Sequence, residues 1–249
     1  MTITDHNHLY VGGSWKAPHS TERIVVRSAS TEAVIGSVPE ADRADVDAAV
    51  LAAREAFEDW SQWKPAARAD VLHAWADAID RRVDELAQRV SLQNGMPIFL
   101  SKASDSRRPG HLLRYYAETA CQQGDEELRM SSSGGSTLVR RVPLGVVAAV
   151  VPWNFPNTMA ALKYAPALAA GCTVVLKPAA ETVLDTILIA DAAIEAGLPA
   201  GVLNIVTGGR ETGRYLVNHP RIDKISFTGS LMVGRELGTN AGGLLRPVT

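Results

Sequence analysis

The second half of the chain alternates between strand-like and helix-like segments, and this alternation restricts the fold more than any other feature. The first of these strands, residues 145–151, is rich in β-branched valine and lies between Pro143 and Pro152. The alternating segments are residues 145–151, 156–170, 173–176, 182–196, 202–206, 210–218, 224–227 and 231–240, and residues 246–249 begin another strand. Alternation at this pitch predicts an α/β fold with a parallel, Rossmann-like sheet and right-handed crossovers.

The first 130 residues show a different pattern, in which short strands are followed by amphipathic helices. Short strands are predicted at residues 9–15, 23–27 and 34–38. Apolar side chains then recur every three or four positions, which predicts a helix that begins near Asp42 or Asp45. The same spacing predicts one continuous second helix from about Pro65 to Asn94 and a third helix over residues 110–123.

The composition is that of a globular protein, with 46% hydrophobic and 21% charged residues. A net charge of −2 argues against a nucleic-acid-binding surface. The longest apolar run, residues 145–152, is far shorter than the roughly 18 residues of a membrane span, and the first ten residues lack a secretory signal. Cys121 and Cys172 lie 51 positions apart, which provides neither a metal site nor a disulfide framework. We therefore expect a cytoplasmic protein without membrane, nucleic-acid or metal partners.

The residues that follow each strand form the candidate site, because ligands of such sheets bind beyond the carboxyl ends of the strands. Asn154 follows the first of these strands and stands between two prolines, which hold its carboxamide on a rigid loop. Such a carboxamide can donate a hydrogen bond to a developing oxyanion. The alternative, which the residue type alone favours, is that Asn154 caps the helix that begins at Pro156.

The next three strand ends carry groups that suit a nucleotide. Lys177 ends an apolar run, so its amine is expected to reach solvent or a ligand, and ribose hydroxyls or phosphates are the usual partners in this fold. Gly208-Gly209 follows the third strand, with Gly213 in the next turn, and Gly229-Ser230 follows the fourth. Both turns allow backbone N–H groups to approach an anion at a helix N-terminus, although neither matches the G-x-G-x-x-G pattern.

Together these motifs resemble those of the aldehyde dehydrogenase superfamily. The motifs are PWNFP, the helix that carries Lys163, AAGCTVVLKPA, LNIVTGG and KISFTGS, in that order. The resemblance extends back through LYVGGSW, SLQNGMPI and LRYYA, so it covers essentially the whole chain. It implies oxidation of an aldehyde to a carboxylic acid, with NAD or NADP as the hydride acceptor.

The resemblance also implies roles for individual residues. Asn154 matches the oxyanion-hole asparagine, Lys163 a buried lysine assigned to the charge network of the core, and Lys177 the lysine that contacts the adenosine ribose. The other positions implied to bind the cofactor are Val151, Pro152, Trp153, Ala180, Gly209, Gly213, Phe227, Gly229 and Ser230. The positions implied to face the aldehyde channel are Phe155, Met159 and Leu162.

Two catalytic groups of the family have no counterpart in these 249 residues. The reaction requires a cysteine thiolate that attacks the aldehyde and a glutamate that activates water, and the family carries both beyond the part that this chain matches. Cys172 is expected to be buried at the start of a strand and Cys121 to lie at the end of a helix, so neither is expected to act as the nucleophile. The resemblance therefore implies an amino-terminal half with a truncated catalytic domain that is inactive alone.

The cofactor preference depends on one position after the ribose lysine. Many NAD-using members carry a glutamate three positions after that lysine, where the carboxylate repels the 2′-phosphate of NADP. This chain has Ala180 at that position and Glu181 next to it. The choice between NAD and NADP is therefore open.

The chain is expected to divide into three segments. Residues 1–130 pack on the cofactor domain, residues 131–144 form a hairpin arm for oligomerisation around the strand 138–142, and residues 145–249 form an incomplete dinucleotide-binding domain. The expected partners are a small aldehyde in the complete enzyme, and either further copies of this chain or a carboxy-terminal half. The alternative is a non-catalytic nucleotide-binding or interaction subunit that associates with full-length relatives.

Overall fold

The computed structural model describes residues 5–123 and 125–249, and its central element is a six-stranded sheet. The strands in spatial order are β10 (Lys224–Phe227), β7 (Val146–Val150), β8 (Thr173–Lys177), β9 (Leu203–Ile205), β1 (Leu9–Val11) and β2 (Ser14–Lys16). The first four run parallel, whereas β1 is antiparallel to both β9 and β2. The predicted parallel sheet is confirmed, and the amino-terminal strands extend this same sheet.

Nine α-helices are found in the part of the chain that the structure describes, and most of them cover one or the other face of the sheet. They are α1 (Arg43–Trp60), α2 (Pro65–Asp80), α3 (Val83–Asn94), α4 (Ile98–Leu100), α5 (Arg108–Gln123), α6 (Pro156–Ala169), α7 (Asp185–Glu195), α8 (Arg210–Asn218) and α9 (Leu231–Gly243). The larger hydrophobic layer lies between the sheet and α2, α5, α6 and α7. The smaller layer lies between the sheet and α1, α8 and α9.

Strands β7 and β8 are buried on both faces because their side chains alternate between these two layers. Val147 and Val174 point into the larger layer, whereas Val146 and Val175 point into the smaller one. All four side chains are at most 2% exposed. This double burial explains why the strands read as nearly continuous apolar runs in the sequence.

The prediction of one helix from Pro65 to Asn94 is wrong, because the chain forms α2 and α3 with a break at Arg81-Arg82. Arg82 leaves the helical conformation, with φ −105° and ψ 5°, and its side chain donates to Ala78 O at 2.8 Å. The guanidinium groups of Arg81 and Arg82 both pair with the carboxylate of Glu195 at the end of α7, each at 2.5 Å. The apolar spacing continues across the break, so periodicity alone does not reveal it.

Three short helical segments were not predicted from the sequence, and the first of them is α4. A π-helix over Ser101–Asp105 precedes α5, and α5 begins at Arg108, two residues before the predicted start of the third helix. A 3₁₀-helix over Ala180–Thr182 precedes α7, and α7 therefore begins at Asp185 rather than at residue 182. All three segments are too short to show an apolar period.

Two antiparallel hairpins lie outside the central sheet. They pair β3 (Arg23–Arg27) with β4 (Val34–Pro39), and β5 (Glu126–Met130) with β6 (Ser136–Arg140). The strand predicted at residues 138–142 is thus shifted toward the amino terminus, and its hairpin begins before the boundary predicted at residue 131. Leu128 lies directly opposite Leu138, and these two side chains are 65% and 53% exposed.

The last residues of the chain, which the sequence predicted to begin another strand, run beside β10. Val248 forms a parallel bridge with Ile225. Ile225 N donates to Pro247 O at 3.0 Å, and Thr249 N donates to Ile225 O at 3.0 Å. These hydrogen bonds extend the sheet by a short strand-like segment beyond β10.

A buried carboxyl group lies at the start of α7. Asp185 is completely buried, and its Oδ1 accepts a hydrogen bond from Gln93 Nε2 at 3.4 Å. Its Oδ2 has no partner among residues 5–123 and 125–249. Gln93 Oε1 accepts from Leu184 N at 2.7 Å, so the glutamine joins α3 to the start of α7. Burial, together with the nearby charge of Asp105, raises the pKa of Asp185 to about 7.

We expect Asp185 to make the unfolding free energy depend on pH. Because its pKa is about 7 in the folded protein and 3.8 ordinarily, the folded state retains a proton that the unfolded chain releases. The stability from this group is full below about pH 4 and is lost as pH rises through 7, by on the order of 1–4 kcal/mol. Urea titrations across this range should show the loss, and Asp185→Asn should flatten it. An unchanged pH slope in the variant would contradict the raised pKa.

Candidate functional site

A cleft of about 630 Å³ lies at the carboxyl ends of the parallel strands. The ten positions assigned to the cofactor from the sequence all line it, and so does Asn154. The ten are Val151, Pro152, Trp153, Lys177, Ala180, Gly209, Gly213, Phe227, Gly229 and Ser230. They converge because the loops that follow parallel strands meet at the same edge of the sheet.

The loop between β7 and α6 presents Asn154 to the cleft in an exposed position. The N-cap residue of α6 is Phe155, and no side chain at that position caps the helix. The carboxamide of Asn154 makes no hydrogen bond to any residue that the structure describes. Of the two roles left open by the sequence, helix capping is therefore not observed, and the carboxamide is available to a ligand.

Asp105 caps α6 from outside that helix, and the sequence analysis did not find it. Its carboxylate accepts from the backbone N–H groups of Asn157 at 3.3 Å and Thr158 at 2.9 Å, in the first turn of α6. Burial raises the pKa of Asp105 even though these hydrogen bonds act in the opposite direction. The first N–H groups of a helix lack partners within the helix, so this carboxylate satisfies them and fixes where α6 begins.

Asn94 holds the same loop from the end of α3. Its Nδ2 donates to the carbonyl oxygens of Trp153 at 3.0 Å and of Asn154 at 3.4 Å. Its Oδ1 accepts from Met96 N at 2.9 Å. The sequence analysis used Asn94-Gly95 only as a helix-ending signal, and nothing in the local sequence indicates a contact some 60 residues away.

Lys177 is buried at the end of β8, and its amine is bound within the protein. Nζ donates to Gly208 O at 2.6 Å and to Pro178 O at 2.7 Å. Two backbone carbonyls thus accept from this amine, which the sequence analysis did not foresee, and the predicted contact with a ligand stays a prediction. An ammonium group has three N–H bonds, so one remains for a ligand in the cleft. Burial lowers the pKa of Lys177 to about 8.

Lys163 lies on α6 and reaches the edge of the cleft through a threonine. It is buried, and its Nζ donates to Thr228 Oγ1 at 2.8 Å, while Thr228 lines the cleft. Burial lowers the pKa of Lys163 to about 8. The sequence placed this lysine in a charge network, but its partner in the structure is a neutral hydroxyl group.

The two glycine-containing turns differ in how open they are to an anion. Gly209 N donates to Glu40 Oε1 at 3.0 Å, so a carboxylate of the protein itself occupies the N-terminus of α8. This contact corrects the expectation of an anion site at Gly208-Gly209. Ser230 Oγ accepts from Val233 N at 3.4 Å, which is a long hydrogen bond. The N-terminus of α9 is therefore the more open of the two.

The residues assigned to an aldehyde channel lie at the start of α6 or within it and do not line the cleft. Phe155 and Met159 are half-buried, and Met159 packs against the larger hydrophobic layer. Leu162 is 41% exposed although it is apolar. Their part in substrate binding stays a prediction.

Charged residues of α8 and α9 also line the cleft, and the sequence analysis missed them because it considered only the strand ends. Arg210 and Arg214 are four positions apart, so both lie on the face of α8 that forms one wall. Glu236 of α9 pairs with Arg214 Nε at 2.8 Å. Glu181 lines the cleft beside Ala180.

The two cysteines lie away from the cleft, as expected. Cys121 is exposed and Cys172 is buried, and burial raises the pKa of the Cys172 thiol. Within the described ranges, no group of three histidine, cysteine, aspartate or glutamate side chains is arranged to hold a metal ion. None of the described helices combines the length and the hydropathy that crossing a membrane requires.

The comparison with protein families decides which family these features represent. A model of the aldehyde dehydrogenase family matches residues 15–249. The chain belongs to the aldehyde dehydrogenase family. The resemblance inferred from the strand-end motifs is thereby confirmed, and the cofactor of the family is NAD or NADP.

Relatives of the chain are enzymes of about twice its length. The geranial dehydrogenase of Castellaniella defragrans is 52% identical, over 100% of this chain and 52% of that enzyme. The phenylacetaldehyde dehydrogenase of Pseudomonas fluorescens is 42% identical, over 98% of this chain and 50% of that enzyme. A Mycobacterium tuberculosis aldehyde dehydrogenase complexed with NAD⁺ aligns with a TM-score of 0.94 and 42% identity, over 99% of this chain and 51% of that chain. This coverage matches an amino-terminal half.

We expect Gly213→Ala to weaken cofactor binding without destabilising the protein. A Cβ at Gly213 would lie 3.2 Å from Cδ and Cε of Lys177, so the lysine stem would have to move. Alanine favours a helix over glycine by about 1 kcal/mol, which offsets part of this crowding. Calorimetric titration with NAD should show a loss of affinity of roughly threefold or more, a small but measurable free-energy change.

Gly238→Ala is the matched control for this experiment. Gly238 lies in α9, and a Cβ there would meet no heavy atom within 4 Å. The control should gain helix propensity and keep the NAD affinity of the parent protein. Equal affinity losses in both variants would show that the space beside Lys177 is not the reason.

Proposed function

We propose that this chain is the cofactor-binding half of an NAD(P)-dependent aldehyde dehydrogenase, which oxidises an aldehyde to a carboxylic acid. The convergence of the ten cofactor positions and Asn154 on one cleft carries the proposal. The relatives named above are aldehyde dehydrogenases of about twice the length. We therefore assign the rest of the activity to residues that such enzymes carry outside the matched half.

The cleft fits a dinucleotide in its volume and in its donors. Its volume of about 630 Å³ lies in the range of small-molecule sites. Lys177 has one N–H left to donate to a ribose hydroxyl, and the open N-terminus of α9 at Ser230 suits a pyrophosphate. Gly213 leaves room for the lysine stem, and Gly229 leaves room for the ring of Phe227. A bound NAD or NADP supplies the hydride acceptor of the reaction.

We assign Asn154 as the donor to the oxyanion that forms on the aldehyde oxygen. Its carboxamide is free in the cleft, and its loop is held by Asn94 and by the cap that Asp105 provides for α6. A donor held in advance stabilises a developing charge without reorganisation during the reaction. Lys163 acts as a positioning residue, because its amine holds the hydroxyl of Thr228 at the wall of the cleft.

We propose that the substrate is a small apolar aldehyde. The three side chains assigned to its channel, Phe155, Met159 and Leu162, are all apolar. The 52% identical relative is named a geranial dehydrogenase, and geranial is an apolar aldehyde. Both observations support the same substrate class.

We further propose that these 249 residues do not oxidise aldehydes alone. Cys121 and Cys172 lie outside the cleft, and burial raises the pKa of the Cys172 thiol, which disfavours the thiolate that the reaction requires. A carboxy-terminal half would supply the nucleophile and the general base. A non-catalytic nucleotide-binding subunit that associates with full-length relatives is the second candidate, and it shares the same cleft.

The two unpaired thiols support a cytoplasmic location for this function. Cys121 and Cys172 are both free, and Cys121 is exposed. An exposed free thiol is typical of a reducing compartment.

Titration with NAD tests the cofactor site. We expect Lys177→Ala to lower the affinity by about 1.5–3 kcal/mol, or roughly tenfold to 100-fold, because a hydrogen bond from a charged group to the ribose is lost. Lys16→Ala, at an exposed position of β2, is the matched control and should bind like the parent. The same samples should produce no reduced cofactor from an aldehyde.

The outcomes separate the parts of this proposal. Failure of a folded sample to bind either NAD or NADP would overturn the cofactor site. Cofactor reduction above a protein-free control, abolished in Lys177→Ala, would overturn only the proposed inactivity of the chain. Equal affinity losses in Lys177→Ala and Lys16→Ala would remove the role of Lys177.

We propose that the β5–β6 hairpin associates with a second copy of the chain. Ion pairs hold the hairpin together from within, including Arg140 with Glu126 at 2.6 Å and Arg141 with Glu127 at 2.9 Å. Leu128 and Leu138 are nevertheless exposed on one face. Exposed apolar side chains beside open strand edges favour pairing between chains.

We expect the double substitution Leu128→Lys with Leu138→Lys to shift the protein toward the monomer, because two charges would have to be desolvated in the contact. Analytical ultracentrifugation of parent and variant measures the change. Phe99→Lys is the control, since Phe99 is 74% exposed and belongs to α4 rather than to the hairpin. If all three proteins sediment alike, the hairpin is not the association surface.

A further inference from the structure

Lys163 carries a buried amine whose own chemistry the proposed reaction does not use. The residue is only 7% exposed, and Nζ has one hydrogen-bond partner among the described residues, the hydroxyl of Thr228 at 2.8 Å. We propose that this amine captures an aldehyde covalently, as an imine. The inference rests on the proposed function only for the class of ligand, because the bond forms without a cofactor and without a cysteine.

The amine lies directly behind the wall of the cleft. Thr228 is exposed and lines the cleft, so Nζ is one hydrogen-bond length from a group that a ligand can touch. Met159 precedes Lys163 by four positions on α6, and residues at this spacing share a helix face. An aldehyde in the channel predicted at Met159 and Leu162 therefore approaches the amine along this helix.

No ionic partner keeps the amine of Lys163 protonated. Nζ forms no ion pair with a carboxylate of residues 5–123 or 125–249, and burial alone lowers the pKa of Lys163 to about 8. The ring of Tyr164, the next residue, packs against Trp75 with 4.8 Å between the ring centroids, and the carboxylate of Asp105 is engaged at the first turn of α6. A neutral amine is the nucleophilic form, and desolvated lysines of this kind form Schiff bases with carbonyl compounds.

Imine formation replaces the C=O bond of the aldehyde with a C=N bond. The nitrogen lone pair attacks the carbonyl carbon, both hydrogens of the neutral amine leave with the oxygen as water, and nothing is oxidised or reduced. The imine nitrogen keeps a lone pair but carries no hydrogen. Thr228 suits this change, because a hydroxyl group that accepts from the amine can rotate and donate to the imine.

Lys177 shows why burial alone does not make a lysine suitable for capture. It is also 7% exposed and its pKa is also lowered to about 8, but its amine donates to the carbonyl oxygens of Gly208 and Pro178. A carbonyl group cannot donate, so an imine at Lys177 would leave two carbonyl oxygens without their donor. Capture is therefore expected at Lys163 and not at Lys177.

Propanal with sodium cyanoborohydride tests the proposal, because the reductant converts an imine into a stable secondary amine. Peptide mass spectrometry of the treated, folded chain reports the propylation of each of the six lysines separately. At about pH 7.5 we expect Lys163 to react roughly tenfold faster than the exposed Lys16 and Lys64, since an ordinary exposed lysine amine is almost entirely protonated there. The ratio should fall toward one near pH 10, where exposed amines lose their protons.

Two substitutions at Thr228 make the test specific. Thr228→Val removes the hydroxyl group and keeps the branched shape, and it should slow propylation of Lys163 by about fivefold, the effect of one hydrogen bond. Thr228→Ser keeps the hydroxyl group and should stay within about twofold of the parent. Lys16 and Lys64 serve as internal standards in every sample, and circular dichroism confirms that each variant is folded.

Each result has a definite meaning. Propylation of Lys163 no faster than that of Lys16 and Lys64, or faster propylation of Lys177, would overturn the capture site. Equal rates at Lys163 in the parent and in Thr228→Val would overturn it as well, because the hydroxyl group is what accommodates the imine. None of these results depends on a cofactor. A chain that captures propanal but binds neither NAD nor NADP would contradict only the proposed function.

Discussion

The candidate site depends on the burial of β7 and β8 between two layers of helices. Their side chains alternate between the layers, so Val147 and Val174 lie on one side and Val146 and Val175 on the other. A strand without a polar face must be covered on both sides, and the helical crossovers that join β7, β8 and β9 supply this cover while keeping these strands parallel. Parallel strands end at one edge, and that edge holds the cleft. The position of the site is thus a consequence of core packing.

The loops at that edge are held by residues from the amino-terminal part of the chain. Asn94 binds the carbonyl groups of the loop that carries Asn154, and Asp105 caps the helix that follows. Glu40 occupies the N-terminus of α8 through Gly209 N. These contacts span more than 50 residues of sequence, and they tie the amino-terminal region to the cofactor edge. A separate amino-terminal segment that only packs on the sheet would not provide them.

The strand-end motifs predicted the cleft better than they predicted its electrostatics. Which residues follow each strand can be read from the local sequence. On that basis the motifs correctly placed Lys177, Gly213 and Ser230 around one cleft. Whether an amine is free depends on which carbonyl groups surround it, and for Lys177 these come from Gly208 and Pro178. The arginine wall of α8 was missed for a related reason. Which face of a helix lines a cleft is decided by how that helix packs.

By itself, the sequence determined the order of the strands and helices, the parallel sheet and the family, because these follow from local periodicity and from motifs at fixed spacings. Only the tertiary structure decided where the long helix breaks, since Arg81 and Arg82 turn away from it to meet Glu195 of a distant helix. It also decided that the carboxamide of Asn154 makes no hydrogen bond to the described residues, whereas the amine of Lys177 donates to two backbone carbonyls. Hydrogen-bond partners such as these are brought together by packing, and no local sequence pattern encodes a contact between segments that meet only in the folded chain.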